Sequence, residues 1–227
     1  MEENKKHFSL FIKFGEEIHI KKLYEEGELY LNTIEYFTKK EGNKEIGDDW
    51  EDVRYNGQVK NFKLEDKDRT ILTAPSANFQ KHVPELGNLY CLWCLDDEYV
   101  LNHLNKNDNT LTFSTSEHKG FVNNGKLCYV VIKNLKEFIK RVENELNRMN
   151  LKFKMGPVTY FDEKTYSGPV NHFMKRKQYE KQQEFRILVH NTENAALIIH
   201  IGSILDIANY FDKEMEFKQT FEIKEER

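Results

Sequence analysis

Glu184 and Arg186 stand two residues apart at the head of an apolar run, Phe185–His190. On a strand, residues i and i+2 share one face, so a carboxylate and a guanidinium here either form a structural ion pair or line a site. Lys175 and Tyr179 lie just upstream, and the acids Asp48 and Glu51 lie far upstream in Gly47-Asp48-Asp49-Trp50-Glu51-Asp52. Buried without partners such groups are costly, so they are expected to pair or to line a solvated cleft. The reading is that Glu184 and Arg186 take catalytic roles and that Asp48, Glu51, Lys175 and Tyr179 bind a ligand beside them. Gly27 to Phe37 is expected to form a strand-turn ledge that adds Asn32 and Tyr36 to the same site. Asp48, Glu51 and Glu184 could also assemble around a divalent metal as in a nuclease. In that reading Arg186 occupies the place where a D…[DE]-x-K core wants a lysine.

Other chemistries find less in the chain. There is no G-x-x-x-x-G-K-[ST] phosphate loop, no G-x-G-x-x-G and no G-x-S-x-G elbow, which disfavours ordinary nucleotide and serine hydrolases. The eight histidines show no H-x-x-x-H or H-x-H spacing, so no structural metal is expected. Cys91-Leu-Trp-Cys94 has C-x-x-C spacing without the second pair of a zinc ribbon. It sits in an apolar run that reads as a strand, where the two sulfurs would point to opposite faces. With Cys128 the count is three, which speaks for reduced thiols rather than a disulfide scaffold.

The elements that must position these residues follow from periodicity and punctuation. Phe8–Phe14 reads as a strand and Ile18–Glu26 as a helix closed by Gly27 in a left-handed cap. Glu28–Leu31 is extended, and Asn32 would cap a short helical turn with Glu35 in capping-box position. Val53–Tyr55, Val59–Leu64 and Arg69–Ala74 are short extended pieces, with Asn56-Gly57 as a hairpin turn. Residues 75–87 read as a loop, Asn88–Leu95 as a buried strand, Asp97–Leu104 as a helix, and Thr110–Thr115 and Lys126–Ile132 as strands. Leu135–Asn150 carries Leu135, Phe138, Ile139, Val142, Leu146 and Met149 on one helical face behind Asn134 as N-cap. Phe153–Tyr160 is extended, His172–Lys181 helical, Phe185–His190 and Leu197–Ile201 paired strands, Leu205–Phe211 helical and Met215–Ile223 a final strand. Consecutive strands without β-α alternation favour an α+β fold with a largely antiparallel or mixed sheet. No repeat or Pro/Gly/Ser linker divides residues 1–227, so one domain is expected.

Of the 227 residues, 39% are apolar and 13% aromatic, enough to build a core without staples. The net charge of −4 does not favour a nucleic-acid partner, which rests on clustered cations. Residues 1–15 hold no uninterrupted apolar h-region and no small-residue cleavage site of a secretory signal, and no run approaches the ~20 apolar residues of a membrane span. A cytoplasmic location is expected.

Lys13-Phe14-Gly15, then Gly27-x-Leu-Tyr-x-Asn-Thr-x-x-Tyr-Phe37, Glu41, Gly47-Asp48-x-x-Glu51 and the late Lys175-x-x-x-Tyr179-x-x-x-x-Glu184-x-Arg186-Ile187 together resemble a group of uncharacterised proteins of Gram-positive bacteria and their phages. They are similar, more distantly, to a bacterial domain of unknown function with an early N-D-P-x-E and a late K-x-x-x-W-x-x-E-x-E-x-R. The likeness covers both ends of the chain, leaves residues 55–165 unanchored, and implies a shared fold in a mobile-element or defence setting. The order of an initial strand, a helix ending near Gly27, a strand and a late Glu opening a strand also resembles ADP-ribosyltransferases. That likeness implies a transition-state role for Glu184 and NAD as cofactor. The first-strand Arg or His of that family is absent, with only Lys13 in its place and His19 beyond the strand. The function expected is therefore a phage-type cytoplasmic protein binding a nucleotide-like ligand or a host or phage protein. A transferase acting on NAD through Glu184 is the alternative, and a metal-dependent nuclease a further one.

Overall fold

The computed structural model describes residues 8–39, 47–67, 69–122 and 126–220. In chain order it forms β1 (Phe8–Glu16), α1 (Glu17–Glu26), β2 (Glu28–Thr33), α2 (Ile34–Lys39), β3 (Val53–Asp66), β4 (Arg69–His82), β5 (Asn88–Asp96), α3 (Asp97–His103) and β6 (Thr110–Ser114). Then follow β7 (Leu127–Ile132), α4 (Leu135–Arg148), β8 (Lys152–Pro157), β9 (Thr159–Phe161), β10 (Gly168–Pro169), β11 (Met174–Arg176), β12 (Glu184–His190), β13 (Leu197–His200), β14 (Ala208–Phe211) and β15 (Glu216–Thr220). The fold is α+β, as the run of consecutive strands implies.

One eight-stranded antiparallel sheet organises the molecule in the order β13-β2-β5-β1-β7-β14, with β12 on the second edge of β5 and β8 beyond β12. α1 and α4 cover one face. Ile20 and Leu23 of α1 and Phe138, Val142 and Leu146 of α4 pack with Phe11, Leu92 and Ile187. The other face carries Ile12, Trp93 and Tyr129, with Leu111 of β6 packed in the same cluster. The apolar stripe of α4 thus lies against the sheet, and the Asn134 side chain accepts from the amide of Glu137 at 3.1 Å. Asn134→Ala is expected to cost about 1 kcal/mol, seen as a lower urea midpoint at unchanged slope; an unmoved midpoint would mean that the cap adds nothing. Gly27 closes α1 at φ 69, and a Cβ there would fall 1.9 Å from the carbonyl oxygen of Gly202.

Several local expectations are corrected. Asn32 belongs to β2, and the cap of α2 comes one residue later: Thr33 Oγ1 accepts from the amide of Tyr36. Asn56-Gly57 does not turn the chain, because β3 runs straight through it and pairs with β4 as far as Asp66↔Arg69. Gly57 instead leaves room for the Phe79 ring, which lies 2.1 Å from where a Cβ would stand. Residues 75–82, read as loop, belong to β4; among the described residues that strand pairs only with β3, and an edge strand tolerates Pro75. The helix expected over His172–Lys181 is β11 followed by a 3₁₀ turn, Lys177–Gln182. Leu205–Phe211 ends in β14 rather than a helix, its apolar residues serving an edge of the sheet beside β7. β12 and β13 do not pair with each other: β12 lies between β5 and β8, and β13 lies on β2. The final strand ends, within the described residues, at Thr220.

Candidate functional site

β5 has three neighbours, and two of them share one of its edges. β1 takes Trp93–Asp96, and β2 takes Asn88 and Leu89. The two strands then diverge, since β1 goes on to pair with β7. Among the described residues Tyr90, Cys91 and Leu92 therefore have no ladder partner on that edge, and the sheet forks there. Trp93 pairs with Ile12 and Leu89 with Asn32 across this edge, while the Cys94 amide turns the other way to the Gln183 carbonyl at 2.7 Å. An antiparallel ladder alternates in this manner, with a residue's N–H and C=O on the same side. Cys91 is thus the residue whose backbone groups point into the fork.

Lys13 fills it. Its Nζ donates to the Cys91 carbonyl at 2.8 Å and lies 4.2 Å from the centroid of the Tyr90 ring. Among the described residues no carboxylate is within ion-pair distance of it. Lys13 lies deep in the protein yet keeps part of its surface open, because a cavity of about 500 Å³ occupies the fork. Burial pushes the Lys13 amine below the ordinary lysine range, against smaller opposing contributions from Cys91 and Glu184. Cys91 also lines the cavity, and burial beside Glu184 pushes its thiol up to about 12, so it is a neutral group and not a nucleophile.

The far wall of the cavity is an ion network on β12. Arg186 is 1% exposed. It donates to both oxygens of Glu51, at 2.9 and 2.5 Å, and to Glu184 Oε2 at 2.6 Å and the His172 carbonyl at 2.6 Å. Lys175 Nζ donates to Glu184 Oε1 and to Gln182 Oε1, both at 2.6 Å. Burial opposes ionisation of Glu184, but the Arg186 guanidinium and the Lys175 ammonium outweigh it and hold the carboxyl well below the usual range. Burial likewise works against the Lys175 ammonium, and Glu184 overcomes it, so its pKa rises. The strand spacing that placed Glu184 and Arg186 on one face thus meets Glu51 and Lys175 from other elements.

Asn32, Tyr36, Glu51, Lys175, Glu184 and Arg186 all border the cavity. Asp48 and Tyr179 do not. They brace the wall from behind, where Arg176 donates to Asp48 at 2.7 Å, to Asp49, and to the Tyr179 hydroxyl at 3.2 Å. Burial and the nearby Glu51 carboxylate push the Asp48 carboxyl up despite this contact. Glu41 of the resemblance lies outside the described residues. Sequence reasoning left Lys13 out of the site. A lysine alternating with Phe11, Ile12 and Phe14 in an apolar strand was the available signal, because a charge there needs a reason.

No protein-family model, curated protein or solved structure matches this chain. Among the described residues no cluster of His, Cys, Asp and Glu is arranged to hold a metal ion, and no helix is long and apolar enough to cross a membrane.

Proposed function

We propose that the protein binds a nucleotide-like small molecule in the fork cavity, as a cytoplasmic phage- or mobile-element-type protein acting in host–phage conflict. The observation that carries the binding reading is the Lys13 ammonium, bordering the cavity and without a carboxylate partner among the described residues. Holding a cation out of water without a counter-ion is costly, and an anionic group of a ligand would remove that cost. Aromatic surface for a base is at hand: Tyr30, 44% exposed, and Tyr36 stand at the mouth. The setting is supported by position, since the residues that carry the likeness to proteins of Gram-positive bacteria and their phages, within Gly27 to Phe37 and Lys175 to Ile187, include several that border the cavity, among them Tyr30, Asn32, Tyr36, Lys175, Glu184 and Arg186.

Titration calorimetry with NAD and the common nucleotides, with and without Mg²⁺, tests this on the wild type and on Lys13→Met. The wild type is expected to bind at least one of them, and the variant to bind it at least about tenfold more weakly, a loss of about 1.4 kcal/mol. The melting temperature of Lys13→Met should not fall, because the substitution removes a buried charge. A folded wild type that binds none of these compounds would overturn the reading.

A transferase acting on NAD through Glu184 is the second reading. It is favoured by the first strand and Glu184 of the late strand bordering one cavity, although that strand offers Lys13 where the family has Arg or His. Against it, both Glu184 oxygens are already engaged by cations. Release of nicotinamide from NAD by the wild type would decide for it. The nuclease reading needs carboxylate oxygens turned to a metal, whereas Asp48, Glu51 and Glu184 each face a guanidinium or an ammonium.

A further inference from the structure

We propose that the ligand of the fork cavity presents a single negative charge to Lys13, so that among nucleotides the site takes a monoanionic phosphodiester, such as a cyclic mononucleotide, in preference to NAD or a polyphosphate. This rests on the nucleotide reading above and narrows it by charge. Three cations with described positions border the interior of the cavity: Lys13, Lys175 and Arg186. Lys175 and Arg186 carry two positive charges, and Glu51 and Glu184 return two negative ones through direct contacts. That wall is neutral, and each of its two cations is already in contact with a carboxylate. Lys13 remains as the one uncompensated charge among these groups.

Further acids surround the space. Glu16 and Glu28 border it as well, and Glu28 is shared with Lys22 at 3.2 Å. A first anionic oxygen placed at Lys13 meets the ammonium, and the Cys91 N–H, which points into the fork, stands beside it. A second or third phosphate would enter a low-dielectric space whose remaining fixed charges are paired or negative. Uncompensated charge in such a space is strongly unfavourable. A neutral nucleoside would leave the ammonium without a counter-ion. The site is therefore matched to one charge, with the aromatic residues of the mouth left to take the base.

The experiment is a binding series at fixed base. The free nucleoside, the 3′,5′-cyclic monophosphate, the 5′-monophosphate and the triphosphate are titrated for adenine, guanine, cytosine and uracil, alongside NAD, on the wild type and on Lys13→Met. For at least one base the cyclic monophosphate is expected to bind tenfold or more tighter than both the nucleoside and the triphosphate. In Lys13→Met that nucleoside and its cyclic monophosphate should bind alike, a change of ratio that a merely structural role for Lys13 would not produce. If NAD or a triphosphate binds tightest, the charge assignment is wrong and the nucleotide reading stands. If nucleoside and cyclic monophosphate already bind equally to the wild type, Lys13 does not receive the anion and the assignment is again overturned. If nothing in the series binds, both readings fall together.

Discussion

Replacing Arg186 with methionine is expected to cost about 5 kcal/mol or more, the upper end of what breaking a buried ion pair costs, and so to leave little folded protein. The side chain is 1% exposed and makes four contacts at once, two to Glu51, one to Glu184 and one to the His172 carbonyl. Methionine matches much of the volume but returns none of the donors. Glu51 would be left buried with neither oxygen paired to Arg186, and Glu184 would keep only Lys175. The expected penalty comes mainly from these abandoned carboxylates and less from the lost attraction, since an intact buried ion pair roughly breaks even against well-packed apolar groups. Arg186→Met combined with Glu51→Leu and Glu184→Leu should therefore recover part of the loss. Urea unfolding of the single and triple variants checks this. A single variant as stable as the wild type would show that the network is not buried as described.

That network also shows what the sequence disclosed. The i, i+2 spacing of Glu184 and Arg186 at the head of an apolar strand was enough to place them on one inward face, because strand periodicity is local. Their partners were legible as residue types, but the pairing of Arg186 with Glu51, 135 positions away, depends on where the loop before β3 lands. Lys13 was legible as an odd charge in an apolar strand. Its role was not, because the fork exists only when β1 and β2 choose the same edge of β5, and strand order leaves no mark in periodicity. α4 was readable from its start to within two residues of its end, at Arg148 rather than Asn150, since its stripe and its cap are both local features. Asn56-Gly57 misled because a hairpin dipeptide was weighed without the Phe79 ring that needs the glycine. Leu205–Phe211 misled because a short apolar run is equally compatible with helix and strand until its neighbour is known.

Glu184→Gln is expected to cost about 3 kcal/mol at neutral pH, the lower end of the range for breaking a buried ion pair, and this cost should fade in acid. Glutamine keeps the shape and one acceptor oxygen, but its amide turns N–H groups toward either Lys175 or Arg186, both of which are donors at 2.6 Å. The pH dependence follows from the direction of the shift. The Glu184 carboxyl is held well below the usual range in the folded protein, whereas an unfolded glutamate titrates near about 4.3. Its stabilising contribution is complete above that unfolded value and is lost as pH falls through it toward the folded one. The gap between wild type and variant should therefore be constant from pH 7 to about pH 5 and then shrink by about 1.4 kcal/mol for each further pH unit. Glu85, held down to about 2 chiefly by the Arg54 guanidinium beside it, titrates in the same window, but it is present in both proteins and cancels in the difference. Unfolding midpoints of both proteins at pH 7, 5, 4 and 3 measure the gap. A gap that stays unchanged at pH 3 would mean that the Glu184 charge is not what stabilises the wall, and a variant with no deficit at pH 7 would free Glu184 for a role on a ligand.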